Sequence, residues 1–191
     1  MAKKLALRGA PRAVYRAAAG ANFFRHDGAA AAVDFAVVLL PFLIVLMTMI
    51  NSALVLLAGQ VLQTAATNAG RLVMTGQAQN ANDTAAQFKS GICASLTVMF
   101  NCASNLYIDV ESFSSFSNIS LPAVTNANGT VNSGAFGYSP GNPGDIVVVR
   151  LIYQWPIIAS ALTFGLASSA NSTNTLVATV AFRNEPYVPA T

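Results

Sequence analysis

Apolar and polar positions change their spacing along this chain, and each change marks an element. From Phe35 to Ala58 the residues are apolar for 24 positions, interrupted only by Thr48, Asn51 and Ser52. At about 1.5 Å per residue, a helix of that length crosses a hydrocarbon core of about 30 Å. Overlapping and following it, Ile50, Leu54, Leu57, Val61, Ala65, Ala69 and Leu72 recur at three- and four-residue steps, with Gln60, Gln63, Thr64, Thr67, Asn68 and Arg71 on other faces. One helix is predicted over residues 30–79, about 75 Å long. Its first half, about 35–58, suits lipid, and its second half suits packing against a protein domain. Pro41 removes one backbone hydrogen bond inside it and predicts a kink of the kind membrane helices tolerate.

Past Gln79 the composition turns toward Asn, Ser, Thr and Gly, and the periods shorten. Residues 84–100 predict one or two short helices with Phe88, Ile92, Leu96 and Met99 as the buried face. In LYIDVESF, residues 106–113, Tyr107, Asp109 and Glu111 alternate with Leu106, Ile108 and Val110. DIVVVRLIYQWP, residues 145–156, and TLVATVAF, residues 175–182, are rich in β-branched and aromatic residues, and all three read as strands. Between the first two strands, Asn128-Gly129 predicts a hairpin turn and PGNPGD a loop ending at a strand. The expected fold is α+β: a long helix covering one face of an antiparallel sheet of three or four strands. The domain expectation is a basic leader over 1–29, the long helix over 30–79 and a head over 80–191, with no internal repeat.

Charge divides the chain at Gly28. Residues 1–28 hold Lys3, Lys4, Arg8, Arg12, Arg16 and Arg25 against Asp27, a net +5, whereas residues 29–191 carry a net −2. The basic pI therefore belongs to the leader. Basic residues flanking an apolar span stay cytoplasmic, so the head should be translocated. Nucleic-acid binding loses its support, because the positive charge is not a patch on the folded domain. The small residues Gly28 to Ala32 precede the apolar run, the reverse of the order at an ordinary signal-peptidase site.

The head has little to offer catalysis. The only histidine, His26, lies in the leader, so the head has no imidazole for a triad, a general base or a metal. Asp109 and Glu111 would share a strand face, a spacing open to acid–base work or a calcium ion, but a solvated strand face is the stronger expectation. No catalytic residue, metal or organic cofactor is expected. Cys93 and Cys102 sit in the part that should be translocated, where an oxidising compartment favours a bridge. Closing that loop contributes roughly 2–3 kcal/mol in the loop-entropy model. On one continuous helix the two would be separated by about 13 Å along the axis, so the bridge needs a turn near Phe100 and Asn101. Two buried free thiols are the alternative. Sequons at Asn82, Asn118, Asn128 and Asn171 are expected by chance in so Asn- and Ser-rich a segment.

Gly28 to Leu43, GAAAAVDFAVVLLPFL, together with DIVVVRLIYQWPI and the terminal AFRNEPY, resembles the TadE/TadG-like proteins of the tight-adherence (Tad) pilus system, which are similar to type IV pilins at the N-terminus. The resemblance covers the chain from about Arg25 to Tyr187. It implies a type IV pilin-like fold and a minor pilin, or pseudopilin, with its N-terminus cytoplasmic and its head outside the bacterial inner membrane. It also implies as partners a prepilin peptidase, other pilin subunits, the inner-membrane assembly machinery and lipid, with no nucleic acid. Such leaders end in Gly, with Glu at the fifth mature position followed by an aromatic residue. Here Asp34 stands for the Glu. Cutting after Gly28 puts it at the sixth position, whereas cutting after Ala29 makes Ala30 the first residue and Asp34 the fifth, with Phe35 next. The leader being retained is a third possibility.

Asp34 also has a physical reading of its own. An acid in an apolar helix costs about 2.5–3.5 kcal/mol at the bilayer centre and less near its edge, and a cation offsets this. Cleavage just upstream would create an α-ammonium that can neutralise the Asp34 of a neighbouring subunit. The competing account is an Asp solvated at the cytoplasmic boundary without a partner. Three roles are thus in play: a structural pilus subunit, an unprocessed single-span assembly protein, and a membrane-tethered hydrolase using Asp109 and Glu111.

Overall fold

The computed structural model describes residues 27–96, 100–157 and 173–188, with side chains from residue 31 onward. The basic leader up to His26, Met99 and the sequon residue Asn171 lie outside the described residues. Element order is α1 (Asp27–Met74), α2 (Gln77–Asn80), α3 (Ala85–Ser95), α4 (Cys102–Asn105), β1 (Leu106–Phe113), β2 (Ile146–Pro156) and β3 (Thr173–Arg183). The chain divides into two units at Leu43/Ile44. The described part of the first is apolar helix, with Pro41 inside it and nearly every side chain exposed. The second contains the rest of α1 and the head.

The head is α+β, with three antiparallel strands in the order β1-β2-β3. Register places Leu106, Ile108 and Val110 of β1, Val147, Val149, Leu151, Tyr153 and Trp155 of β2, and Leu176, Ala178, Val180 and Phe182 of β3 on one face. All of them join the core formed with α1 and α3. Near-continuous apolar sequence in β2 fits a central strand buried on both faces.

α1 meets this core through Leu54, Val61, Ala65 and Ala69 of the expected stripe together with Ala58, Leu62, Ala66 and Val73 beside it. Ala58, Leu62, Ala65, Ala66, Ala69 and Val73 are buried, whereas Ile50, Leu57 and Leu72 point outward at 47%, 50% and 40% exposure. Closeness of approach is the reason. A Cβ added at Gly70 would lie 2.9 Å from Val180 Cγ2 and 3.0 Å from Phe182 Cε1. The sheet therefore takes the alanine and glycine side of the helix, with Leu62, while Leu57 and Leu72 go outward. Hydrophobic periodicity identifies a helix but does not distinguish the side that packs closest.

The helix ends at Met74 rather than Gln79. Gly76 adopts φ 75°, the left-handed conformation that glycine enters without strain. Tyr187 stacks where a Gly76 side chain would go, and the Glu185 N–H donates to the Met74 carbonyl at 2.9 Å, satisfying a helix-end acceptor. Asn184, 3% exposed, donates its side-chain amide to the carbonyls of Pro140 at 2.9 Å and Asn142 at 3.1 Å. The terminal AFRNEPY thus clasps the end of α1 to the PGNPGD loop. That loop turns through Asn142-Pro143-Gly144-Asp145, with the Asp145 N–H on the Asn142 carbonyl and Gly144 at φ 86°.

α3 opens on a capping box, Thr84 with Gln87, and buries Phe88 and Ile92. It stops at Ser95, earlier than the expected turn at Phe100, with Leu96 already extended. Cys93 and Cys102 are disulfide-bonded with Cα atoms 5.6 Å apart. The bridge holds Phe100 against Tyr153 and Trp155, at ring-centroid distances of 4.8 and 5.7 Å, and the Asn101 N–H donates to Tyr153 Oη at 3.0 Å. The Asn128-Gly129 turn forms, with Gly129 at φ 76°, but only an isolated bridge, Thr125 to Val131, accompanies it in place of strands.

Gly76→Ala is expected to lower stability by about 1–2 kcal/mol from the left-handed backbone alone, with displacement of Tyr187 adding to that. The midpoint of urea unfolding, compared with the wild type, measures it.

Candidate functional site

Two places in the molecule carry charge in apolar surroundings. The first is the start of α1. Gly28, Ala29 and Ala30, the residues of the expected processing site, lie in its first turn. Asp34 and Phe35 follow on exposed helix, Phe35 at 66% exposure. The helix positions three and four residues from Asp34 are Ala30, Ala31, Val37 and Val38, so no cation of its own helix face can pair with it. No other charge occurs until Arg71. Apart from Asp27, its first residue, the largely apolar rod of α1 carries one anion, Asp34.

The hydroxyls in that rod need no outside partner. Thr48 Oγ1 donates to the Ile44 carbonyl at 2.8 Å and Ser52 Oγ to the Thr48 carbonyl at 2.9 Å, the i−4 back-bond by which hydroxyls satisfy themselves in a helix. Asn51 is 6% exposed and turned into the head.

The second place is on the sheet face opposite the core, where the expected solvated strand face is overturned at Asp109. The register sets Asp109 directly across from Arg150, and both are buried, at 1% and 5% exposure. Arg150 donates from Nε at 2.8 Å, and from Nη2, to Asp109 Oδ2. Asp109 Oδ1 accepts the Gly137 N–H at 2.9 Å, and Arg150 Nη1 donates to the Pro122 carbonyl at 2.9 Å. The Phe136 ring lies 5.8 Å from the guanidinium carbon. Residues 114–145 thus fold over this face and are tied down by the ion pair. They also cover the outer edge of β1, where the Val110 N–H donates to Gly137 and the Ser139 N–H to Val110, which protects that edge from stray strand pairing.

Glu111 shares the face with Asp109 but is half-buried. Burial pushes its carboxyl above the ordinary 4.5; the Asp109 carboxylate adds to the rise and the Arg150 guanidinium opposes it. Tyr138, packed on Phe88 at 5.4 Å, is pushed up to about 12 by burial and then by the Asp83 charge. With Asp109 enclosed by Arg150 and a backbone amide, the pair Asp109 and Glu111 is a structural anchor with a half-buried neighbour rather than two approachable acids. Among the described residues no three His, Cys, Asp or Glu side chains gather as metal ligands would. The Asp109–Arg150 pair was the feature that periodicity concealed. Its available signal was one acid and one base, each mid-strand, in strands predicted to be neighbours.

An apolar helix long enough to cross a membrane that runs into a small α+β head defines the class: a membrane-associated protein with a structural head. The model of the TadE-like protein family matches residues 29–71. The stretch from Ala29 to Arg71, Asp34 included, is therefore similar to TadE-like proteins. The head strands and the terminal clasp lie beyond the match. No curated protein and no solved structure matches the chain.

Asp109→Ala leaves Arg150 buried without its counter-charge and is expected to cost about 3–5 kcal/mol of stability. Replacing both, Asp109→Leu with Arg150→Met, recovers most of it; urea unfolding of the three proteins measures the difference. Glu111 supplies a pH dependence. Its folded carboxyl titrates above its unfolded one, so the protonated form's contribution is fully present below about 4.5 and is lost as pH rises through the raised folded value. Glu111→Gln should flatten that part of the stability–pH curve, followed by thermal unfolding across mildly acidic pH.

Proposed function

We propose that the protein is a minor pilin, or pseudopilin, of a Tad-type pilus: a structural subunit inserted in the bacterial inner membrane, processed by a prepilin peptidase at Gly28, Ala29 or Ala30, and assembled through α1. The observation that carries this reading is Asp34, the lone acid of the TadE-like stretch, followed by helix that carries no further charge up to Arg71. Its partner in the filament is the α-ammonium that cleavage creates on a neighbouring subunit. Pairing neutralises both charges as the helix leaves lipid, which couples extraction to correct stagger. Phe35 packs beside that pair, Pro41 lets the helix bend, and the disulfide-tied head is presented outside. The partners are other pilin subunits, the inner-membrane assembly machinery and the peptidase.

Mass spectrometry of the N-terminus of protein recovered from sheared pili tests this. A chain starting at Ala29 or Ala30 supports processing, whereas an intact start at Met1 favours the unprocessed assembly protein. Asp34→Asn is expected to leave membrane insertion intact and to remove the protein from the pilus fraction, read by immunoblotting; undiminished incorporation would refute the pairing.

A further inference from the structure

The head begins on α1 before the apolar run ends. Asn51 and Ala58 are buried against the head, yet both lie within the 24 residues, 35–58, whose length matches a hydrocarbon core. Over these two turns one side of α1 faces protein. Asn51, Ser52, Val55 and Leu56 line a cavity of about 230 Å³ together with Ile157, just past β2, and Asn174, near the start of β3. The other side is bare: Ile50 and Leu57 are 47% and 50% exposed.

What this region meets follows from its chemistry. Water would face a row of large aliphatic side chains, an unfavourable contact. Lipid meets no unsatisfied polar side chain there, because Ser52 bonds back to the helix and Asn51 is buried. The β2–β3 hairpin is itself asymmetric. Its open end carries Asp145, Arg183 and Glu185, while no charged residue occurs between Arg150 and Arg183, the whole stretch joining the two strands. The described residues at that end carry no charge, and Ile157 and Asn174 lie beside the outer part of the apolar span, so an interfacial depth takes no charge out of water there.

We propose that the Pro156/Thr173 end of the hairpin lies in the outer lipid interface, so that the turns from Asn51 to Ala58 are shared between the head on one side and lipid on the other. The head is then seated in the bilayer surface rather than held above it. The proposal rests on the reading of α1 as a membrane span.

Trp155, the only tryptophan, reports the depth of this end. The full chain is reconstituted in vesicles whose lipids carry bromine either high or low on the acyl chains. The expected result is loss of Trp155 emission relative to unbrominated vesicles, larger with bromine near the headgroups than near the chain ends. Ile157→Asp should reduce that loss while the chain still floats with the vesicles and keeps its disulfide. Unchanged emission in every brominated lipid, with the chain floating, overturns the proposal and leaves the membrane span standing. Failure to float overturns the span and the proposal together. The wild-type comparison decides the matter even where Ile157→Asp does not fold.

Discussion

The head depends on how closely α1 lies against the sheet. At Gly70 there is no room for a Cβ beside Val180 and Phe182, and Ala58, Ala65, Ala66 and Ala69 are buried in the same core as β2. Packing of this kind is sensitive to single methyl groups, because interiors are filled to crystal-like density. It also releases the other side of the helix. Ile50, Leu57 and Leu72 are not needed for the core, so they are available for a second apolar environment.

Everything else in the head holds that contact in place. The Glu185 amide and Tyr187 terminate α1 at Met74 and Gly76, and Asn184 fastens the terminal residues to the Pro140–Asn142 carbonyls. The disulfide keeps Phe100 on the Tyr153 and Trp155 rings. On the far face the Asp109–Arg150 pair draws Pro122 and Gly137 over the sheet. A buried pair of this kind is weak evidence for added stability compared with apolar packing. What it does supply is direction, because only one path of residues 114–145 satisfies both the carboxylate and the guanidinium.

The two charged places have opposite logic. Asp109 has its cation within the fold and is finished as a structural element. Asp34 has none among its helix neighbours three and four residues away, and its pairing with a neighbouring subunit is what we propose.

Much of this was legible in the residues alone. The existence of the long helix, the three strands and the absence of a charge between Asp34 and Arg71 follow from local sequence, and the TadE-like match covers most of that helical stretch. The cysteine pair was also readable, since compartment and spacing demanded a turn between them. Three things were not. The face of α1 that packs is set by which side chains are small enough at the point of contact, and the apolar stripe looks equally good when rotated by one residue. The burial of Asp109 depends on strand register and on a loop returning from nearly thirty residues away, Gly137. The helix end at Gly76 is decided by Tyr187, more than a hundred positions later in the chain. Local sequence determined the elements because their hydrogen bonds and periods are local; only the tertiary structure could decide faces, registers and ends, because those are contacts between residues far apart in the chain.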